Sequence, residues 1–448
     1  MSSNNAVTQI RTGPIGPTLW RLSLPNVISN VLLTLVTVAD AWFISRLGTT
    51  ALASLAIVFP FQVLMQMFGN GAIGGGIASA LSRALGAKQQ QDADALARHA
   101  LLTGAVMSLV FVIVLGVFSR YIFTWLGADS AALEGAVRYA SVTFGGASAV
   151  WLFYAMFAIY RGTGNMAVPA RALVISSIAQ IFLSGCLTLG WGPFPSLGIV
   201  GPAVAFIVSQ GGAGVALLLL ARNGRLGIHI QSGPIGWQPI ATIMNVGGLG
   251  MVNSLTIVFA VVVVTGIVGQ YGTAALAGYG LGSRLELMLV PLAFGIGGAL
   301  TTAVGINMGA GEYQRARDFA WFGAKVSAMI VGPLGILLAL LPGLWTGLFT
   351  SDAEALHYAT QYLHIVAPLY GVFFVGQTLY FASQGTGRMA IPVSIGVLRL
   401  LTVSSIGLMA SWLQAPLWVV FMSVALGMTV IGVGMVASLL GPTWRAPA

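Results

Sequence analysis

Long apolar stretches, separated by short polar or turn-forming segments, dominate the pattern of this chain. A helix needs about 20 mostly apolar residues to cross the hydrocarbon layer of a membrane, and twelve stretches meet that requirement. They cover residues 17–44, 52–80, 97–119, 136–159, 167–190, 198–221, 240–268, 275–303, 319–341, 358–381, 389–413 and 416–440. The pattern therefore predicts an all-α polytopic membrane protein with twelve transmembrane helices.

An internal duplication divides these spans into two sets of six. The segment GTGNMAVP at 162–169 returns 223 residues later as GTGRMAIP at 385–392, and GTTALA at 48–53 matches GTAALA at 272–277 with an offset of 224. In membrane transporters, two such halves usually enclose a pathway. We expect two six-helix lobes related by a pseudo-two-fold axis along the membrane normal, with a central cleft. The predicted amino lobe, cytoplasmic linker and carboxyl lobe are residues 1–221, 222–239 and 240–448.

The composition agrees with a membrane location, since 57% of the residues are hydrophobic and only 6% are charged, against roughly 25% charged in soluble domains. Most of the nineteen basic residues, Arg399 counted among them, fall on one predicted side. Because short cytoplasmic loops carry the excess of Lys and Arg, we expect both termini in the cytoplasm and the chain in the inner (plasma) membrane. Nothing in residues 1–18 suggests a cleaved signal peptide.

The net charge of +9 does not indicate nucleic acid, because the basic residues are scattered over many loops and anionic lipid explains them better. Cys186 is the only cysteine, and the four histidines have no ligand spacing, so no disulfide, metal site or cofactor is expected. Because two lobes can complete a pathway within one chain, we expect the chain to function as a monomer in the bilayer.

Only two carboxylates lie within the predicted spans, Asp40 in the first and Glu286 in the eighth. A charged side chain at this depth costs about 2.5–3.5 kcal/mol, so such residues are functional candidates. The offset of 224 pairs Asp40 with Val264, and this asymmetry favours function over scaffolding for Asp40. The alternative is that Asp40 reaches water or pairs with Arg46. Glu286 is either a structural clamp or a site residue, with Arg284 two positions away.

Further polar residues in the spans are candidates for lining a cavity, because amides are costly against lipid. They are Asn26, Asn30, Gln62, Gln66, Gln180, Ser184, Gln210, Asn253, Arg284, Glu286 and Gln377. Pro25 is a candidate hinge in the first span, since an interior proline kinks a helix. If the helix instead began close to Pro25, the proline would lie in its first turn and would not disturb it. The glycine-rich run at 69–76 predicts close helix packing and not a phosphate loop.

The chain resembles the multidrug and toxic compound extrusion (MATE) family, and within it the DinF-like branch, over nearly its whole length. The residues that carry the resemblance are Leu24-Pro25, Asp40, Gly48, the two Gly-Thr-Gly-x-Met-Ala-x-Pro segments, Gly86-Ala87, Gly309-Ala310 and Ser283-Arg284-Leu285-Glu286. The resemblance implies two lobes around a cleft, and export of organic cations and other amphipaths in exchange for protons or sodium ions.

The resemblance also implies roles for two residues in the first span: Asp40 corresponds to the family's coupling acid and Pro25 to its kinkable proline. The chain departs from the family pattern in the fifth span, where Gln180 and Ser184 replace an Asn and an Asp, and in spans seven and ten, which hold no carboxylate. A sodium ion needs several oxygen ligands, whereas protonation needs only one carboxylate. We therefore expect proton coupling, with sodium as the alternative.

Two other functions are open to a chain of this kind. A flippase for lipid-linked sugars would need several cationic residues in its cavity, and Arg284 is the only basic residue expected deep in a span. An intramembrane enzyme would need a nucleophile with its base, paired acids or a metal at membrane depth. The two acids lie in different halves, so an enzyme is not expected.

Overall fold

The computed structural model describes residues 3–126, 130–230, 233–349 and 352–445, and over these residues the chain is helical with no strand. Among the described residues, eleven helices are long and apolar enough to cross a membrane. A twelfth span is formed by two helices, Ala131–Gly145 and Ala147–Gly162, which meet at a bend of 48°. The predicted all-α, twelve-helix fold is confirmed, and each predicted span overlaps one of these helical segments, several of which extend farther than expected.

The first half of the chain begins with a short helix that precedes the first span. Its helices are α1 (Ser3–Thr12), α2 (Ile15–Ser45), α3 (Thr49–Gln66), α4 (Gly74–Gly86), α5 (Gln90–Phe111), α6 (Ser119–Trp125), α7 (Ser130–Gly145), α8 (Ala147–Gly162), α9 (Ala167–Leu189) and α10 (Gly201–Leu220). Pro25 lies ten residues inside α2. The helix therefore does not begin late, and the proline removes an interior backbone hydrogen bond.

The second half repeats this order of elements. Its helices are α11 (Trp237–Gly269), α12 (Thr273–Gly309), α13 (Tyr313–Leu340), α14 (Gly343–Thr346), α15 (Ala353–Val366), α16 (Tyr370–Thr386), α17 (Ala390–Trp412) and α18 (Leu417–Leu440). Turns at matched positions keep the same backbone conformation: Gly48 and Gly272 have φ of 106° and 110°, and Gly164 and Gly387 have 79° and 77°. The duplication thus extends to the turns that join the spans.

One segment changes the offset of the repeat. The second span, Thr49–Gly86, has 38 residues and contains a π-helical turn at Met67–Ile73, whereas its counterpart α12 is a continuous α-helix of 37 residues. In a π turn the backbone hydrogen bonds join residues i and i+5, so the helix bulges locally. The extra residue in the first half accounts for the fall in repeat offset from 224 before the turn to 223 after it.

Two hydrophobic cores correspond to the two lobes, one built largely from residues 44–243 and the other from residues 246–444. The helix α2 takes part in both. Leu19 and Leu22, before Pro25, belong to the carboxyl-lobe core, while Ile44 near the other end belongs to the amino-lobe core. The proline therefore separates two parts of α2 that pack on different lobes.

We call the end that carries α1 and the turns at 87–89, 163–166, 310–312 and 387–389 the basal end. The distal end carries the turns at 46–48, 190–197, 270–272 and 413–416. The lobes pack closely near the basal end, where α4 contacts α11, α12 and α16. A side chain at Gly76 would overlap the backbone of Ile243 and Gly247. The glycine-rich run therefore serves close helix packing, as predicted.

Candidate functional site

A cavity of about 650 Å³ lies in the distal half of the molecule. Its walls come mainly from the first, second, fourth, fifth and sixth spans of the amino lobe, and Arg284 on α12 is the contribution of the carboxyl lobe. The lining is Leu33, Val36, Thr37, Val38, Asp40, Ala41, Leu52, Leu55, Ala56, Phe59, Gln62, Val63, Gln66, Tyr139, Gln180, Phe206 and Arg284. A mostly apolar pocket of this size with a few polar groups is typical of a small-molecule site.

Asp40 lies in the wall of this cavity and is only 7% exposed. Its Oδ2 accepts a hydrogen bond from Nε2 of Gln180 at 3.1 Å. The Ser209 hydroxyl donates to Oε1 of the same Gln180 side chain at 3.5 Å. Ser184 lies close to the carboxylate, but its hydroxyl and Oδ1 of Asp40 make no hydrogen bond of normal geometry within the described residues. Gln180 is thus the one donor with normal hydrogen-bond geometry to Asp40 in the described structure, and the Ser184 hydroxyl lies next to the carboxylate.

The matched positions of the carboxyl lobe contain no such pair. The repeat places Val264 opposite Asp40 and Val403 opposite Gln180, and both valines are buried in the carboxyl-lobe core. A hydrogen-bonded polar pair in one lobe is therefore an apolar contact region in the other. A buried polar side chain without a partner costs free energy, and the two valines avoid that cost. The polar pair is therefore a feature of the amino lobe alone.

Glu286 occupies a different environment from Asp40. Its carboxylate accepts a hydrogen bond from the hydroxyl of Tyr362 and does not line the cavity. The repeat pairs these two residues with Gln62 and Tyr139, and the Tyr139 hydroxyl donates to Gln62 Oε1 at 3.4 Å. The same tyrosine contact is thus made to an amide in one lobe and to a carboxylate in the other. Arg284 and Glu286 do not pair, and they turn to different sides of α12.

Arg399 corrects one expectation from the sequence. It lies in the middle of α17, beside Glu286 and over the ring of Phe373 with its Cζ 5.2 Å from the ring centroid. Arg284 is therefore not the only basic residue deep in a span, and Arg399 does not belong to a loop at the membrane surface. One signal for this position is present in the sequence, since Arg399 falls inside the apolar stretch 389–413.

The remaining predicted site residues lie outside the cavity. Asn26 is buried and donates to Sδ of Met166 at 3.5 Å, and Asn30 donates to the carbonyl of Asn26 at 2.7 Å. Gln210 is buried in α10, Asn253 packs against Gly396 and Gln377 is half-buried in α16. The structure thus brings together Asp40, Gln62, Gln66, Gln180 and Arg284, with Ser184 behind Asp40.

Polar contacts between the lobes close the basal half. Ser79 donates to the carbonyl of Gln384, and the Gln384 side chain donates to the carbonyl of Gly71 in the π turn at 3.0 Å. Arg161 donates to the side chain and carbonyl of Asn70 at 3.2 and 3.1 Å. The carbonyl of Arg161 accepts from Thr302 on the other lobe at 2.9 Å. The carbonyls of the π turn thus form part of the closed interface.

Two helical lobes that meet at one end and border a mostly apolar cavity with a few polar groups towards the other are typical of the class of secondary membrane transporters. The chain belongs to the MatE family: the family model matches residues 25–184 and again residues 251–409, which together exceed half of the chain. The double match agrees with the duplication. The protein is thus a multi-pass membrane transporter and not an enzyme, while its assignment to the DinF-like branch stays a prediction.

Individual relatives agree with this assignment. The chain is 28% identical to a FAD transporter of Shewanella oneidensis, over 83% of this chain and 82% of the relative. It is 25% identical to a probable multidrug resistance protein of Bacillus subtilis, over 85% and 84%. Among solved structures, a MOP superfamily transporter from Pyrococcus furiosus superposes with a TM-score of 0.88 at 21% identity, covering 97% and 98% of the chains.

Proposed function

We propose that the protein is a multidrug exporter of the plasma membrane that exchanges organic cations or amphipathic drugs for protons by alternating access. The observation that carries the proposal is the carboxylate of Asp40, which borders the cavity and has one oxygen, Oδ1, without a hydrogen bond of normal geometry in the described structure. A proton and a cationic group would compete for this oxygen. Relatives from Bacillus subtilis and Staphylococcus aureus are named as multidrug resistance or export proteins.

The conformation supports alternating access. If both termini are cytoplasmic, the closed basal half faces the cytoplasm and the Asp40 cavity lies towards the outside. Entry of a proton from outside then favours release of the cargo there. Pro25 separates the two parts of α2 that pack on different lobes, so a change of bend at this residue would move Asp40 relative to the carboxyl lobe.

The surroundings of Asp40 favour a proton over a sodium ion. Gln180 presents its amide nitrogen to the carboxylate, and its oxygen accepts from Ser209. A hard cation wants several oxygen ligands, whereas a single buried carboxylate suffices to hold a proton. One proton exchanged for one monovalent cation moves no net charge, so each pH unit supplies about 1.4 kcal/mol.

The flippase alternative is not favoured by the cavity. Arg399 is turned towards Glu286 and Phe373, which leaves Arg284 as the basic residue among the cavity-lining residues of the described structure. A pyrophosphate-bearing lipid would need more than one cation. If the protein were a lipid flippase, the reconstituted protein would accelerate the exchange of a labelled lipid between leaflets. A drug exporter would leave that exchange rate unchanged.

Efflux from proteoliposomes with an imposed pH gradient tests the proposal. The wild-type protein is expected to move a cationic dye against its gradient when the compartment that supplies the protons is acidic. Asp40→Asn retains an oxygen that can accept the hydrogen bond from Gln180 and removes the titrating group. The protein should therefore fold and lose pH-driven transport. Val264→Asn, at the matched position, is the control for polarity alone. Persisting pH-driven efflux in Asp40→Asn would refute the assignment.

A further inference from the structure

Arg284 is an exposed cation in the wall of the cavity. It makes no ion pair or hydrogen bond within the described part of the chain. Asp40 lies in the same cavity but farther than 4.0 Å from the guanidinium, since the two form no salt bridge. Two opposite charges thus border one space without contacting each other.

From this placement we infer that the cargo is zwitterionic: its cationic group lies at Asp40, its acidic group lies at Arg284, and its apolar body fills the space between. The inference rests on the proposed function and names its substrate class. A guanidinium presents donors in a planar fork that suits a carboxylate or phosphate. A substrate with a cation alone would leave Arg284 to repel it.

The intervening walls fit the body of such a molecule. Leu55, Phe59 and Phe206 line the same cavity as Asp40 and Arg284, and flat apolar molecules bind well to aromatic and aliphatic walls. The FAD transporter of Shewanella oneidensis is one relative, and a cargo with an acidic group therefore has a precedent among the names of similar chains. The charge pattern of this cavity does not depend on that precedent.

A zwitterionic cargo changes the electrical balance of transport. Exchange of one proton for a neutral zwitterion moves one positive charge inwards in each cycle. The membrane voltage then contributes to export, and 100 mV supports about fiftyfold extra accumulation. A simple cation exchanged for one proton gains nothing from the voltage.

Binding of two matched dyes to the purified protein tests the inference directly. Rhodamine 6G is a cation whose carboxyl group is esterified, and rhodamine 19 is the same dye with the free acid, hence a zwitterion. Affinities are measured by fluorescence polarisation in detergent at one fixed pH and ionic strength. Wild-type protein should favour the free acid by about three- to tenfold, the range for a partly solvated charged hydrogen bond.

Arg284→Gln should abolish this preference and leave the affinity for the ester unchanged or improved. Arg46→Gln is the matched control, because Arg46 lies over Trp42 near the distal end and does not line the cavity; it should keep the preference. Arg284→Lys keeps the charge without the fork and should keep part of the preference. It also serves as the test if Arg284→Gln does not purify as a folded protein.

The inference is overturned if the wild-type protein binds the two dyes equally or favours the ester, or if Arg46→Gln removes the preference as well. Equal weakening of both dyes by Arg284→Gln would also overturn it, because the arginine would then support the fold of the site. Failure of pH-driven efflux would refute the proposed function separately, since the binding preference does not depend on transport.

Discussion

Asp40 and Glu286 are both carboxylates within spans, but their partners give them different roles. Asp40 borders the cavity and receives one amide donor. Glu286 receives the Tyr362 hydroxyl and lies beside Arg399. Because Arg399 sits in the middle of α17, it needs a nearby negative charge to offset the cost of its place in the membrane. These contacts favour a structural role for Glu286.

At this scale, we predict that Glu286→Gln lowers the free energy of unfolding by about 1–3 kcal/mol, because it leaves Arg399 without its counter-charge. The tyrosine contact should survive, since the matched position in the amino lobe already pairs Tyr139 with Gln62 at 3.4 Å. Thermal unfolding in detergent measures the loss.

The double variant Glu286→Gln, Arg399→Met is the control for this prediction. It should recover most of the lost stability, because both charges are then removed together. The structural role would be contradicted if Glu286→Gln were as stable as the wild type but inactive in pH-driven efflux. Glu286 would then act in the transport cycle.

Among the elements, α4 and α12 determine how closely the lobes approach at the basal end. A side chain at Gly86 would overlap the carbonyl oxygen of Ile306, and one at Gly309 would overlap the carbonyl oxygen of Arg83. The contact is thus made by two backbones and is reciprocal between matched glycines of the repeat. Such an interface admits the closed state only without side chains at these positions.

We predict that Gly86→Ala shifts the protein towards a state that is open at the basal end, because the methyl group prevents closure. A reporter cysteine at Ser82, which is buried beside Gly305, should react with a maleimide several times faster in this variant. Cys186 is buried and contributes little background.

Gly266→Ala is the matched control, since Gly266 on α11 has open space around the added methyl group. It should leave the labelling rate unchanged and gain roughly 0.5–1 kcal/mol of helix stability at most. Equal labelling rates in the Gly86 and Gly266 variants would show that the glycine contact does not control closure.

For the molecule as a whole, α1 connects the two lobes at the basal end. Ile10 packs beside Gly164 of the amino lobe and is buried in the core of the carboxyl lobe. Arg11 pairs with Glu312 at 2.7 Å. Arg315 donates to the carbonyl of Ile10 at 3.0 Å. The helix is therefore anchored on the carboxyl lobe and contacts the amino lobe at Gly164.

We predict that Arg11→Glu increases the open population at the basal end by about fivefold, corresponding to roughly 1 kcal/mol for a partly exposed ion pair. The swapped pair Arg11→Glu, Glu312→Arg should restore closure. The same Ser82 cysteine reports both results, and high salt should reduce the difference. If the single variant labels like the wild type, α1 does not stabilise the closed state through this pair.

The fold could be predicted from the sequence because the bilayer dictates the length of each span and the repeat confirms their number. The choice of Asp40 as a candidate site residue followed from its mismatch with Val264. Its contact with Gln180 did not, because the two residues lie 140 positions apart and only packing brings them together. Arg399 was misplaced because charge was counted by loop, and the π turn was signalled only by the change in repeat offset.

The pairing of Asp40 and Gln180 with Val264 and Val403 has a consequence for how many protons such a molecule can bind. A homodimer of identical half-length subunits carries every side chain twice, so it has two acids at this position or none. Joining two copies within one gene removes that constraint. A single chain can then carry one acid at this position while the matched position of the sister lobe stays apolar.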